Sequence, residues 1–95
     1  MSLSEQSESK TLKWYVYICI SIADHYYVGI SPNPRKRLAL HNSGLGSKMA
    51  IDQGGFKLVY VSVPYNDKSS ARKREIQIKG WTRLKKEQLI SGKWS

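Results

Sequence analysis

The chain has 95 residues, 40% of them hydrophobic, with 16 Lys and Arg against 7 Asp and Glu and a formal net charge of +9. That size allows one domain with a modest core, and the hydrophobic share excludes a wholly disordered protein. A polyanion is the natural partner of so basic a surface, nucleic acid foremost. The absence of a long apolar run, a lipidation signal or an amphipathic helix with a large apolar face argues against a membrane. Cys19 is the single cysteine, which excludes an internal disulfide and a cysteine-built zinc site; in mid-strand it reads as a small hydrophobe rather than a catalytic thiol.

Residues 1–12 are polar and rich in Ser, Glu and Gln, so a disordered leader is expected there, with the folded domain spanning 13–92. No apolar stretch in the leader resembles a secretory signal, and a cytoplasmic location follows by default.

Two tyrosine-bearing apolar runs come next, Trp14 to Ile18 and Tyr26 to Ile30, joined by a polar loop from Ser21 to His25. Their alternation predicts a hairpin with Tyr15, Tyr17 and Cys19 on one face and Trp14, Val16, Ile18 and Ile20 on the other. A loop symmetric about Ile22 puts Tyr17 opposite Tyr27, so that two phenols meet on one face. Gly29 inside the second strand predicts that a backbone or a ligand approaches closely there.

Ser31-Pro32-Asn33-Pro34 stops the second strand and starts a helix, with Asn33 as N-cap and Pro34 at the first helical position, where its missing N–H costs nothing. This basic helix carries Arg35, Lys36, Arg37 and His41 and is expected to end near Asn42 and Ser43, with Asn42 capping it. The glycine-rich segment 44–55 follows, with one helical turn expected around Lys48 to Ile51. Phe56 to Val63 reads as a third strand. Its nearly continuous apolar content from Leu58 predicts a central strand covered on both faces. Capping signals at Asn66-Asp67 or Ser69-Ser70 start a helix from Ser70 to about Lys79, which Gly80 ends. Thr82 caps a last helix to about Ser91. The expected architecture is α+β: a small three-stranded antiparallel sheet flanked by helices, in the order β-β-α-β-α-α.

In the helix ending at Lys79, Ala71, Glu75 and Ile78 fall on one stripe, so a carboxylate is carried inward with apolar neighbours. Two fates suit it. It can pair with Arg72 or Lys79 at helical spacing, or it can hold a divalent cation whose other positions are water and substrate phosphate.

Four of these features occur together and in order: Tyr15-Val16-Tyr17, Tyr27-Val28-Gly29, the basic helix from Asn33 to His41-Asn42, and Glu75. In this the chain resembles the GIY-YIG nuclease domain, over roughly residues 14 to 85, and most of all its small stand-alone bacterial members. The resemblance implies a metal-dependent endonuclease hydrolysing DNA, serving a pathway such as repair or recombination. It assigns Glu75 to one Mg²⁺ or Mn²⁺, and catalytic roles to Tyr17 and Tyr27, either of which can be the group that activates water. Arg37 takes the place of the arginine that stabilises charge on the phosphate, and His41 that of a histidine assisting the water or leaving group. A structural hydrogen bond to the glycine-rich loop is the other reading of His41. Arg35, Lys36, Lys48 and Lys79 are read as contacts to the DNA backbone, without sequence-specific readout. Such a phenol needs its pKa lowered by nearby cations.

Three positions depart from the pattern. Tyr15 replaces the first glycine of the signature, and Ile30 stands where some members carry a lysine, which leaves Arg37 and the metal to lower a phenol's pKa. The loop after the basic helix carries Asp52 and few cations, which weakens the case for tight DNA binding. A nucleic-acid-binding module that cuts little by itself is the alternative. An adaptor using Trp81 and Trp94 as exposed aromatics is a third reading.

Overall fold

The computed structural model describes residues 12–43 and 55–92. The expected leader, the helical turn around Lys48 to Ile51, Lys48 itself, Asp52 and Trp94 therefore lie outside the described residues. In chain order the elements are β1 (Tyr15–Ser21), β2 (Tyr26–Ser31), α1 (Pro34–Asn42), β3 (Phe56–Val61), α2 (Lys68–Lys79) and α3 (Arg83–Ile90). This is the expected β-β-α-β-α-α order. The three strands form one antiparallel sheet ordered β2-β1-β3. No described helix is long and apolar enough to cross a membrane.

The first strand, not the third, is therefore central. Val16 and Ile18 are fully buried and join Ala71, Ile78 and Leu89 in the core, under α2 and α3. The apolar run of β3 lies instead on an edge strand, with Val61 partly exposed and Val63, just past its end, largely so. Two devices tie that edge down. The pairing with β1 shifts between Ile18 and Cys19, and beyond the strand Trp14 and Tyr65 exchange both backbone bonds, at 3.0 and 2.7 Å. Between them the buried Ser62 hydroxyl accepts from the Val16 N–H at 2.9 Å and donates to the Val63 carbonyl at 2.8 Å. Ser62→Ala leaves a buried N–H unpaired, which costs about 1–3 kcal/mol. The expected result is a melting temperature lower by about 4–8 °C for each kcal/mol lost, read by thermal denaturation.

The hairpin register differs from the symmetric reading. Tyr17 pairs with Gly29, and Tyr27 with Cys19. The cause lies in the loop. Ser21 and Asp24 close a turn with a 2.9 Å bond, and Asp24 then takes a left-handed backbone, φ 70°, a conformation that short Asn and Asp side chains tolerate better than most. The pairing is thereby centred on Ala23. Arg83 of α3 holds this loop from the other end of the chain. Its guanidinium donates to the Asp24 carbonyl at 2.8 Å, pairs with the Asp24 carboxylate at 2.9 Å and lies 4.5 Å over the Tyr26 ring.

The helix ends follow local chemistry. Asn33 accepts from the Lys36 N–H ahead of Pro34, Asp67 from Ser70, and Thr82 from Lys85. Asn42 does not cap α1, whose C-cap is Ser43. Its amide instead imitates a strand neighbour, donating to the Phe56 carbonyl and accepting from the Phe56 N–H, both at 2.7 Å. Helix α1 is thus fastened to the start of β3, on the sheet face opposite the core. Trp81 is half-buried against the core with Arg74 and Lys85 over its ring, at 5.0 and 4.2 Å, and is not an exposed docking aromatic.

Candidate active site

Strand alternation turns Tyr17 away from the core, onto the face covered by α1. Its ring lies across Gly29, its register partner. A Cβ built on Gly29 falls 2.7 Å from the Tyr17 hydroxyl and 2.8 Å from the ring carbon that bears it. The close approach expected at this glycine is thus made by a side chain, and only a residue without a Cβ leaves room for it.

Two charges from two helices act on that phenol. The Arg37 guanidinium of α1 attracts its ionised form, and the Glu75 carboxylate of α2, a helix packed on β2 and β1, repels it. Burial outweighs both, so the Tyr17 pKa is raised. The expectation of a lowered phenol pKa is thereby corrected for the chain by itself: the ring is half-buried, one cation faces it, and Cys19 and Glu75 add to the upward shift. The phenol is protonated at neutral pH.

Glu75 is the one ionised group in the core stripe of α2, and it is 5% exposed. Arg72 reaches its Oε1 at 3.5 Å and Lys79 its Oε2 at 3.3 Å, both from half-exposed positions. The pairing expected of a structural glutamate is present, with both candidate partners at once. It is incomplete, because Oε1 is buried without a hydrogen bond. An unsatisfied carboxylate oxygen beside a phenol and a guanidinium suits a hard divalent cation. Among the described residues no three His, Cys, Asp or Glu side chains cluster as ligands. Glu75 is the carboxylate that the described residues bring beside Tyr17, and water and phosphate oxygens would complete the shell of such an ion.

Tyr17 and Tyr27 share a cavity of about 220 Å³ with Cys19, Leu38, His41 and Phe56. The two phenols are diagonal neighbours rather than opposite partners, and Tyr27 meets Phe56 edge to face at 5.0 Å. His41 thus stands on the same wall as both tyrosines. Arg37 borders a separate groove with Ser31, Lys36 and Leu40, so Lys36 accompanies it. Arg35 projects to the other flank, towards Tyr15, Val61 and Leu58. Lys79 is engaged with Glu75. Burial pushes the Cys19 thiol up to about 11, in keeping with its reading as a small hydrophobe.

Leu38 and Phe56 had no signal marking them as cavity walls. Their part depends on how α1 seats against β3 through Asn42. Cys19 was findable, because alternation puts it on the face of Tyr17.

The model of the GIY-YIG catalytic domain family matches residues 13–88. The chain belongs to that family. Among its GIY-YIG relatives is a UPF0213 protein of Clostridium perfringens, 42% identical over 79 residues, an alignment covering 83% of this chain and 84% of the relative. Another, from Neisseria gonorrhoeae, is 40% identical over 85 residues, covering 80% and 82%. The solution NMR structure of a UPF0213 protein from Bacillus halodurans superposes with a TM-score of 0.52 at 34% identity, covering 83% of each chain. The GIY-YIG family is of nuclease type. The relatives' name specifies no substrate.

Proposed function

We propose that the protein is a divalent-metal-dependent endonuclease hydrolysing phosphodiesters in DNA. The observation that carries this reading is the buried Glu75 carboxylate, whose Oε1 lacks a hydrogen bond and whose charge, like that of Arg37, acts on the Tyr17 phenol. Neither helix has a structural need for that arrangement, since Arg37 is exposed and Glu75 strains the polar balance of its stripe.

Glu75 would hold one Mg²⁺ or Mn²⁺. When bound, that ion supplies Lewis acidity towards phosphate oxygens and eases deprotonation of a neighbouring water or phenol. Arg37 binds the scissile phosphate through its planar fork of donors and offsets the negative charge that grows on it. Tyr17 orients the attacking water by hydrogen bonding, with Tyr27 on the same wall. His41 lines this cavity, and its imidazole receives the water's proton. The water oxygen bonds to phosphorus, the opposite P–O bond breaks, and the leaving oxygen is protonated. Arg35 and Lys36 flank the site as contacts to the sugar-phosphate backbone, which carries no sequence information.

One observation favours a second reading. Arg72 and Lys79 already pair with Glu75, as they would in a module that binds nucleic acid without cutting it. The test compares wild type with Glu75→Ala on labelled linear, flapped and branched DNAs, with Mg²⁺ or Mn²⁺ and with chelator. Cutting that disappears in the variant and in chelator is expected. Equal, salt-sensitive binding by both proteins with no cutting selects the module.

A further inference from the structure

The cavity beside Tyr17 is wider than phosphodiester hydrolysis requires. Water and a phosphate oxygen need polar walls, whereas this space of about 220 Å³ is lined largely by apolar groups, among them Val28, Leu38, Phe56 and Tyr27, together with Tyr17 and His41. It opens on the same phenol that faces Arg37 and Glu75. A group lodged in it is therefore covalently close to the scissile phosphate. The only flat, largely apolar group that a nucleic acid carries so near its phosphate is the adjoining base.

The geometry points to a nucleobase pocket: the nucleotide next to the cleaved bond turns its base out of the helix and into this cavity, against Phe56 and Tyr27. The inference rests on the phosphodiesterase reading and adds the substrate class to it. The two rings are set edge to face at 5.0 Å, so a base lying along one ring abuts the other, the kind of aromatic platform on which unpaired bases stack. The polar groups of Tyr27, His41 and Tyr17 can each hydrogen-bond a base without demanding one particular base. A base held in a continuous duplex is stacked and paired and cannot enter without the cost of extrusion. The preferred substrate therefore has an unpaired nucleotide at the cleaved bond, as in a single strand, flap or loop.

The ring of Phe56 can be removed while apolar volume is kept. The experiment measures single-turnover cleavage, with Mn²⁺, of a labelled single strand, of the same strand in full duplex, and of the single strand carrying a base-free residue on either side of the mapped cleavage site. Wild type and Phe56→Leu are compared, with circular dichroism as the check on folding. The single strand is expected to be cut at least about tenfold faster than the duplex, the share that one base–aromatic stack carries. The base-free residue and Phe56→Leu should each remove that advantage, together removing no more than either alone. The base-free strand needs no variant, so a misfolded Phe56→Leu does not spare the inference. Equal cutting of duplex, single strand and base-free strand overturns the pocket and leaves the nuclease reading standing. If wild type cuts none of them, the nuclease reading itself fails, and the pocket falls with it.

Discussion

Gly29→Ala is expected to reduce cleavage about a hundredfold while DNA binding stays near wild type, the size of loss that a displacement of about 1 Å at a reacting group produces. The new methyl group would lie 2.7 Å from the Tyr17 hydroxyl, 2.8 Å from Cζ and 3.1 Å from Cε2. The first two distances are too short to persist, and the neighbour that must give way is the half-buried ring rather than the backbone. Swinging the ring aside moves the phenol away from Arg37 and Glu75, so the three groups no longer meet. The repacking costs about 1–3 kcal/mol of stability, as for other overpacked sites. Arg35 and Lys36, the proposed phosphate contacts, are untouched, which is why affinity is expected to persist. Cleavage at the wild-type rate would show that the phenol's seat over Gly29 has no bearing on the reaction.

Glu75→Met is expected to abolish cleavage, by about a thousandfold or more, and at the same time to raise the melting temperature. The first effect follows from losing the carboxylate proposed to hold the metal, which is worth several kcal/mol of transition-state stabilisation. The second follows from the poor terms on which that carboxylate is buried. Its Oε1 lacks a hydrogen bond, and its two cationic partners are 53% and 54% exposed. Ion pairs reaching to such exposed partners return at most about 1 kcal/mol each. An apolar side chain of similar length beside Ala71 and Ile78 avoids the burial cost, and such exchanges are commonly neutral or stabilising by about 1–4 kcal/mol. A gain of 1 kcal/mol corresponds to about 4–8 °C in a domain of this size. A lower melting temperature in Glu75→Met would mark the glutamate as a structural tie of α2.

The faces on which Tyr17, Arg37 and Glu75 lie were legible in the sequence because each is set by a short-range rule, while their grouping as a site came from the family resemblance. Alternation in β1 fixes which side Tyr17 takes, the Asn33-Pro34 start phases α1, and the spacing of Ala71, Glu75 and Ile78 fixes the inward stripe of α2. What escaped depends on contacts distant in the chain. The hairpin register turns on a left-handed Asp24 held by Arg83, 59 residues away. The apolar run from Leu58 suggested a central strand, but an edge strand whose inner side meets the core and whose outer face lies beneath α1 carries the same composition. Asn42 looked like a cap, because its pairing with Phe56 spans the glycine-rich segment. The direction of the Tyr17 pKa shift was misjudged for a different reason: burial is a property of the folded whole, and cations on the same segment are visible in the sequence while desolvation is not.

The central claim is that Tyr17, Arg37 and Glu75 act as one unit in hydrolysis. It is tested most directly by single-turnover cleavage with saturating Mg²⁺, comparing wild type with Tyr17→Phe, Arg37→Ala, Glu75→Gln and the triple variant. Groups that serve one transition state are strongly non-additive. The expected result is a large loss in each single variant, about a hundredfold or more for Arg37→Ala, and a triple variant no worse than the worst single. A triple variant whose loss is the product of three small ones, or three single variants that cut like wild type, would contradict it.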